Sequence, residues 1–410
     1  MKKKVIALLL IVAIVATCLV AFAACNNKKG EFTFGLITLH DSSSTYDKNF
    51  IDAAQAACNE LGVKLIVKSG VEETDACYNT AMDLVDQGCN IIFADSFGHE
   101  EYMLKAAKEA TGVQFFHATG FRAGTANQAN FHDAFASIYQ GRYLAGVAAG
   151  LKLQAMKAAD STVASKVGYV GAYTYAEVVS GLTSWFLGVQ SIVPDVTMDV
   201  QFTGSWFDPT AEKTAAETLI NQKGAVLLSQ HADSMGAPSA CEEKKVPDVT
   251  YNISTKASCP DTYIIGSKID WTPYFKMIIN KVKNGEPIAA DWCGGFDVGA
   301  VALTEIGDAA AANTAATLET VKAELLAGTR QVFDCSKIKY NGKTLDQAIA
   351  DNDVAKDSTS EKPHTLGMYA KYLKTAGTVK YFSESDVSVG TSAPYFDLQI
   401  DGINFLNSKF

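Results

Sequence analysis

Apolar positions along this chain change their spacing in a way that marks out its parts. From Glu31 onward, short apolar runs alternate with longer stretches whose apolar residues recur every three or four positions. Residues 32–39 predict a strand. Residues 49–61 predict a helix with Phe50, Ala53, Ala54, Ala57, Cys58 and Leu61 on one face, closed by Gly62 at a position that favours left-handed backbone. Strands follow at 63–67, 90–94 and 113–118, and helices at 74–87 and 100–110. Each unit takes about 25–30 residues, the length of a right-handed βαβ repeat.

The rhythm restarts with a helix over 136–153. Its small residues (Gly141, Ala145, Gly146, Ala148, Ala149 and Gly150) suit close approach to a sheet. Strands are predicted at 166–170, 196–202, 225–229, 250–253 and 263–265, and helices at 183–192, 209–222 and 273–283. The fold class is therefore α/β, with two doubly wound, Rossmann-like lobes. No low-complexity linker separates them, so several short hinge crossovers are expected. The first lobe is assigned 25–133 with 263–290 returning to it, and the second 134–262 with 291–336. Residues 337–410 are polar and turn-rich with scattered aromatics. They are expected to pack on the second lobe as a C-terminal extension that ends in a strand at 396–400.

Ahead of this body, Lys2, Lys3 and Lys4 precede an apolar run over 5–24, then Cys25 and the polar stretch 26–30. A basic start, an apolar middle and a small-residue boundary predict a signal peptide over 1–24. Ala23-Ala24-Cys25 resembles a bacterial lipobox, which implies lipidation at Cys25 and a place on the extracytoplasmic face of the membrane. An uncleaved spanning anchor is the alternative, because the run is nearly long enough to cross a bilayer.

Composition narrows the function. The formal charge is −10 and becomes −13 without the three leader lysines. Nucleic-acid binding needs clustered Lys and Arg, so no nucleic-acid partner is expected. An acidic body is also repelled by anionic lipid, which leaves the acyl chains to hold it at the membrane. Beyond the leader and Cys25, Cys58, Cys77, Cys89, Cys241, Cys259, Cys293 and Cys335 show no C-x-x-C spacing. Buried reduced thiols are expected, with no zinc or redox site.

Ligands of open parallel sheets bind beyond the carboxyl ends of the strands. Those ends carry Asn49 and Phe50 after the first strand, Ser96 and Phe97 after the third, then Trp206 and Asp208, then Gln230, His231 and Asp233, then Asn252. Rings mixed with hydrogen-bonding groups suit a small polar solute with an apolar face. No G-x-G-x-x-G, P-loop or H-E-x-x-H is present, so no cofactor and no metal are expected. Ala94-Asp95-Ser96-Phe97-Gly98 resembles a degenerate nucleophile elbow, with His231 and Asp208 or Asp233 as partners, which gives a surface hydrolase as the alternative function. A helix-capping serine beside a ligand is the plainer reading.

Four segments carry a family resemblance: Tyr46-Asp47-Lys48-Asn49-Phe50, the run 141–150 (G-R-Y-L-A-G-V-A-A-G), Gly204-Ser205-Trp206-Phe207-Asp208-Pro209 and Gln230-His231-Ala232-Asp233-Ser234. They resemble the basic membrane protein family, the purine-nucleoside-receptor-like class of type I periplasmic binding proteins. The resemblance implies two lobes closing on a solute for an ABC permease, a purine nucleoside or similar ring-bearing ligand, and a monomer without enzymatic activity. It also implies that Phe50 stacks on one face of the ring, with Trp206 as candidate for the other. Neutral residues stand at several contacts where the family is charged: Asn252 replaces an aspartate that commonly grips ribose hydroxyls. A ligand sensor without a transporter shares every feature of this reading.

Overall fold

The computed structural model describes residues 31–356 and 364–408; the predicted leader and Cys25 lie outside the described residues. Strands are numbered in chain order. The first sheet contains β1 (Thr33–Ile37), β2 (Lys64–Lys68), β3 (Ile91–Ala94), β4 (Gln114–Ala118) and β5 (Phe131–Ala136). The second contains β6 (Lys166–Gly171), β7 (Thr197–Phe202), β8 (Leu228–His231), β9 (Asp248–Tyr251) and β10 (Tyr263–Ile269). The chain then returns β11 (Asp291–Gly294) to the first sheet and β12 (Val301–Leu303) to the second. Strand order is β11-β5-β4-β3-β1-β2 in the first sheet and β12-β10-β9-β8-β6-β7 in the second, with Ile403–Phe405 beyond β7. Pairing is parallel throughout both sheets except at β10–β12.

The crossovers differ from the expected boundaries. β10 pairs in parallel with β9, with a register shift between Tyr263 and Ile265, and so belongs to the second sheet, not to a segment returning to the first. The return begins after Ile269 with the helix Thr272–Asn284, which packs beside Thr45–Leu61 on the first lobe. β11 extends the first sheet by pairing with β5, although 291–336 was assigned to the second lobe. The chain thus changes lobe after Ala136, after Ile269 and after Gly294.

Local chemistry explains the helices that frame the crevice. Ser44 caps Thr45–Leu61 by accepting from the Asp47 backbone N–H at 3.2 Å, and Gly62 ends it at φ 59. The helix Ile138–Ala159 uses its small face mainly against the helix Ala176–Gln190 rather than against a sheet. A Cβ at Gly146 would collide with the Trp185 carbonyl oxygen, and one at Gly188 with that of Tyr143. Those two glycines let the helix backbones touch.

The extension does pack on the second lobe, with Phe396, Leu398 and Ile400 buried in the same core as Phe333 and Trp185. The strand it contributes is Ile403–Phe405, paired with β7, instead of 396–400. The alternating burial at 396–400 is present, but its backbone groups do not join a ladder. The extension also reaches the first lobe, where the Ser392 N–H donates to Asp291 at 2.8 Å. Cys58, Cys77, Cys89, Cys241, Cys259 and Cys335 are buried free thiols, and Cys293 is half-buried and free. Among the described residues no helix is long and apolar enough to cross a membrane.

Candidate functional site

The carboxyl ends of both sheets face one crevice, and the lobes meet across it. The Thr45 N–H donates to the Asp233 carbonyl at 2.8 Å. The His40 ring lies 5.4 Å from Phe207, and Phe97 lies 5.5 Å from Tyr175 at an interplanar angle of 31°. Between these contacts is a recess of about 20 Å³ lined by Tyr46, Ser96, Phe97, Glu177, Trp206, His231 and Asp233. Outside it, a cavity of about 430 Å³ shares Phe97, Glu177 and Trp206 with it. The outer volume falls within the range of small-molecule pockets, whereas the recess has room for about one water.

Of the residues singled out in the sequence, Ser96, Phe97, Trp206, His231 and Asp233 share this one lining. Phe97 is 38 % exposed in a crevice otherwise formed by well-packed elements. Trp206 stands edge-on to Tyr173 at 5.1 Å and 5.9 Å from Tyr175. His231 places Nε2 3.6 Å from Glu177, and burial pulls the pKa of its ring down, which favours the neutral imidazole. Its Nδ1 makes no hydrogen bond within the protein. Burial pushes the Asp233 carboxyl up, reinforced by Asp47, Glu212 and Glu177. The floor of the recess is therefore rich in hydrogen-bonding groups, with the Glu177 carboxyl beside His231 and Asp233.

The remaining candidates lie elsewhere. Phe50 is fully buried, stacked 4.6 Å from Trp271 and packed against Tyr46, and does not line the crevice. It shares a helix face with Ala53, Ala54 and Ala57, and that face is the core face. Asn49 donates to the Ile269 carbonyl at 2.7 Å, tying its helix to the crossover. Asn49 and Asn252 line a separate cavity of about 490 Å³ with Lys268 and Asp270. Asn252 has φ 70, a left-handed conformation that Asn tolerates. Asp208 caps the helix Pro209–Asn221, accepting from Thr210 at 3.0 Å and Ala211 at 2.9 Å. Gln230 is buried beneath the recess, and its carbonyl accepts from Arg142 at 2.9 Å.

Sequence reasoning missed Tyr46, Glu177 and the Tyr173–Tyr175 stack, whose rings lie 5.0 Å apart. Tyr173 and Tyr175 follow β6 directly, so the strand-end rule could have found them. Glu177 reads from sequence as an ordinary acid in a helix's first turn.

A hydrolase would need a histidine nitrogen on the Ser96 hydroxyl. That hydroxyl instead donates to Glu73 at 2.6 Å, and the Gly98 N–H shares the same carboxylate oxygen at 2.7 Å. Among the described residues one trio could approach a metal: Glu100, His117 and Asp133. Glu100 Oε1 accepts from the Phe121 and Arg122 N–H groups at 2.7 Å each, and Asp133 accepts from Ala123 at 2.8 Å. The trio therefore shapes the loop after β4, and the Gly120 backbone closes over it.

Comparison with known proteins agrees with this geometry. Over 188 residues the chain is 35 % identical to a purine-binding protein of Brucella abortus, covering 46 % of this chain and 50 % of the relative. Over 218 residues it is 30 % identical to a putative ABC transporter glucose-binding protein of Haloferax volcanii, covering 53 % and 52 %. The chain thus spans about half the length of these curated relatives. A solute-binding protein structure from Aeropyrum pernix superposes with a TM-score of 0.63 at 17 % identity, covering 78 % of this chain and 97 % of that one, and so shares the fold. Residues 36–341 match the family model described as "ABC transporter substrate-binding protein PnrA-like", and the chain belongs to that family of two-lobed type I periplasmic binding proteins.

Proposed function

We propose that this chain is an extracytoplasmic solute-binding lipoprotein of an ABC importer. It captures a purine nucleoside or similar ring-bearing polar solute between its lobes and presents the closed form to a permease. The observation that carries this reading is the crevice itself. Phe97 from the first lobe faces Tyr175 and Trp206 from the second, above a floor that holds His231 and Asp233. Ring-on-ring contact from both lobes gives a flat solute differential affinity for the closed state, and only such a difference shifts the population between open and closed forms. The lipobox-like Ala23-Ala24-Cys25 supports a lipid anchor, and the family supports a permease partner. Among the relatives, a purine binder and a glucose binder represent the two solute classes, and the aromatic lining favours the purine.

A thermal-shift titration with adenine, adenosine, guanosine and glucose tests the assignment. A solute at 100 times its dissociation constant adds about 2.7 kcal/mol of stability. Stabilisation by purines is expected. Stabilisation by glucose with none from any purine would overturn the solute class.

A further inference from the structure

The loop after β4 covers a group of buried polar side chains that do not line the crevice. His117 on β4 and Asp133 on β5 are paired positions of neighbouring parallel strands, with side chains 0 % and 1 % exposed. Glu100 begins the helix Glu100–Glu109 and joins them: one donor atom from each of the three lies within 4.8 Å of the other two. No metal-binding spacing marks them in the sequence, because they come from three separate elements.

The tautomer of His117 is set by a neighbour. Its Nε2 lies 2.7 Å from the Ser96 carbonyl oxygen, which can only accept, so the hydrogen sits on Nε2. In the neutral ring Nδ1 is then a lone pair, and it faces Asp133 Oδ1, another acceptor, at 3.7 Å. Neither atom makes a hydrogen bond within the protein, although both are buried. Two buried acceptors turned toward each other call for a cation between them. The separation is too long for a hydrogen bond through a shared proton. Two ligands that each lie about 2.1 Å from one ion, however, stand about 3–4 Å apart. Gly120 keeps the space in front of them clear, since a Cβ there would lie 2.1 Å from Oδ1 and 2.7 Å from Nδ1. An Nε2–H bond to a backbone carbonyl is also what orients a metal-bound imidazole.

We propose that Glu100, His117 and Asp133 hold a divalent metal ion behind the first-lobe wall of the crevice. One imidazole nitrogen with carboxylate oxygens suits a first-row ion such as Zn²⁺ or Mn²⁺ better than Ca²⁺, which takes about six to eight oxygens. Glu100 is already engaged: Oε1 accepts from the Phe121 and Arg122 N–H groups, and Oε2 lies 3.3 Å from Arg122 Nε. A carboxylate offers about four lone-pair sites, so it can still ligate. His117 then ties the ion to the Ser96 backbone, and Glu100 ties it to the loop that carries Thr119 and Phe121 to the outer cavity. The ion thus braces both parts of that wall, whichever solute the crevice takes.

The full chain, stripped with EDTA, loaded with Zn²⁺ or Mn²⁺ and desalted, tests this by elemental analysis, chelator competition and thermal unfolding, alongside Asp133→Asn and His117→Gln. About one retained ion per chain is expected, with a higher thermal midpoint than the stripped chain. Each substitution removes one ligand and is expected to weaken the ion at least about tenfold. In the stripped state Asp133→Asn is expected to unfold no earlier than the unaltered chain, because an amide nitrogen in place of Oδ1 donates toward Nδ1. Failure of the unaltered chain to retain either ion overturns the site, and a stripped Asp133→Asn that unfolds earlier then identifies a proton on Nδ1 as the pairing cation. An ion held equally well by both variants lies elsewhere and overturns the site as well.

Discussion

Two aromatic clusters, neighbours in the sequence only at Phe93 and Phe97, do opposite things. Phe50, Phe93, Trp271 and Phe275 pack edge-to-face and stacked beneath the first lobe, all buried. Phe97, Tyr175, Tyr173 and Trp206 form a chain of rings at similar spacings, yet border open space between the lobes. Ring spacing therefore does not distinguish a core from a binding surface. What lies on the same face does: Phe50 shares its side of the helix with Ala53, Ala54 and Ala57, whereas Phe97 and Tyr175 lie at strand-to-helix turns where chain from both lobes converges.

The sharpest way to break this contrast is to truncate one ring from each cluster. Phe50→Ala removes a fully buried ring and is expected to cost about 3–5 kcal/mol of stability, read as a lower urea midpoint. The fraction that folds should still bind solute. A variant of unchanged stability that binds nothing would return Phe50 to the binding site. Trp206→Ala is expected to do the reverse. The ring is half-buried and borders both the recess and the outer cavity, so its loss should weaken a purine by about 1–3 kcal/mol, the worth of a base–aromatic stack. Its thermal midpoint without ligand should move little. Equal loss of stability in both variants would erase the distinction.

The same contrast explains what could be read from the sequence. Strands such as β1 and β3 are almost wholly apolar and were legible, and β4 was legible from Phe115 and Phe116 despite His117. β5 was not, because His132 and Asp133 interrupt its pattern, although both are buried: His132 bonds to the Ala289 carbonyl and Asp133 to the Ala123 N–H. β11, Asp-Trp-Cys-Gly, carries no strand signal of its own and is a strand because β5 offers it an edge. In the site, Ser96, Phe97, Trp206, His231 and Asp233 followed from the strand-end rule. Phe50 came from family position, whereas its own helical periodicity puts it on the buried face it occupies. The share of the outer cavity's wall that the extension supplies could not be read at all, because it depends on a fold-back of the extension onto both lobes.

Asp208 carries the smallest effect and the cleanest separation of the two roles. It lies two residues after Trp206, in the loop that borders the recess, so sequence position alone makes it a ligand contact. Its carboxylate, however, accepts from the Thr210 and Ala211 N–H groups, and Pro209 starts the helix behind it. An N-cap of this kind is worth about 1 kcal/mol when truncated to Ala. Asp208→Ala should therefore lower stability by that amount with solute affinity within about twofold, while Asp208→Asn, which keeps the acceptor oxygen, should lose only a few tenths. Denaturation and titration on the same two variants decide the matter. A stability that does not change, with an affinity that falls in both, would mean that the cap is incidental and that the crevice reaches one helix turn further along this loop.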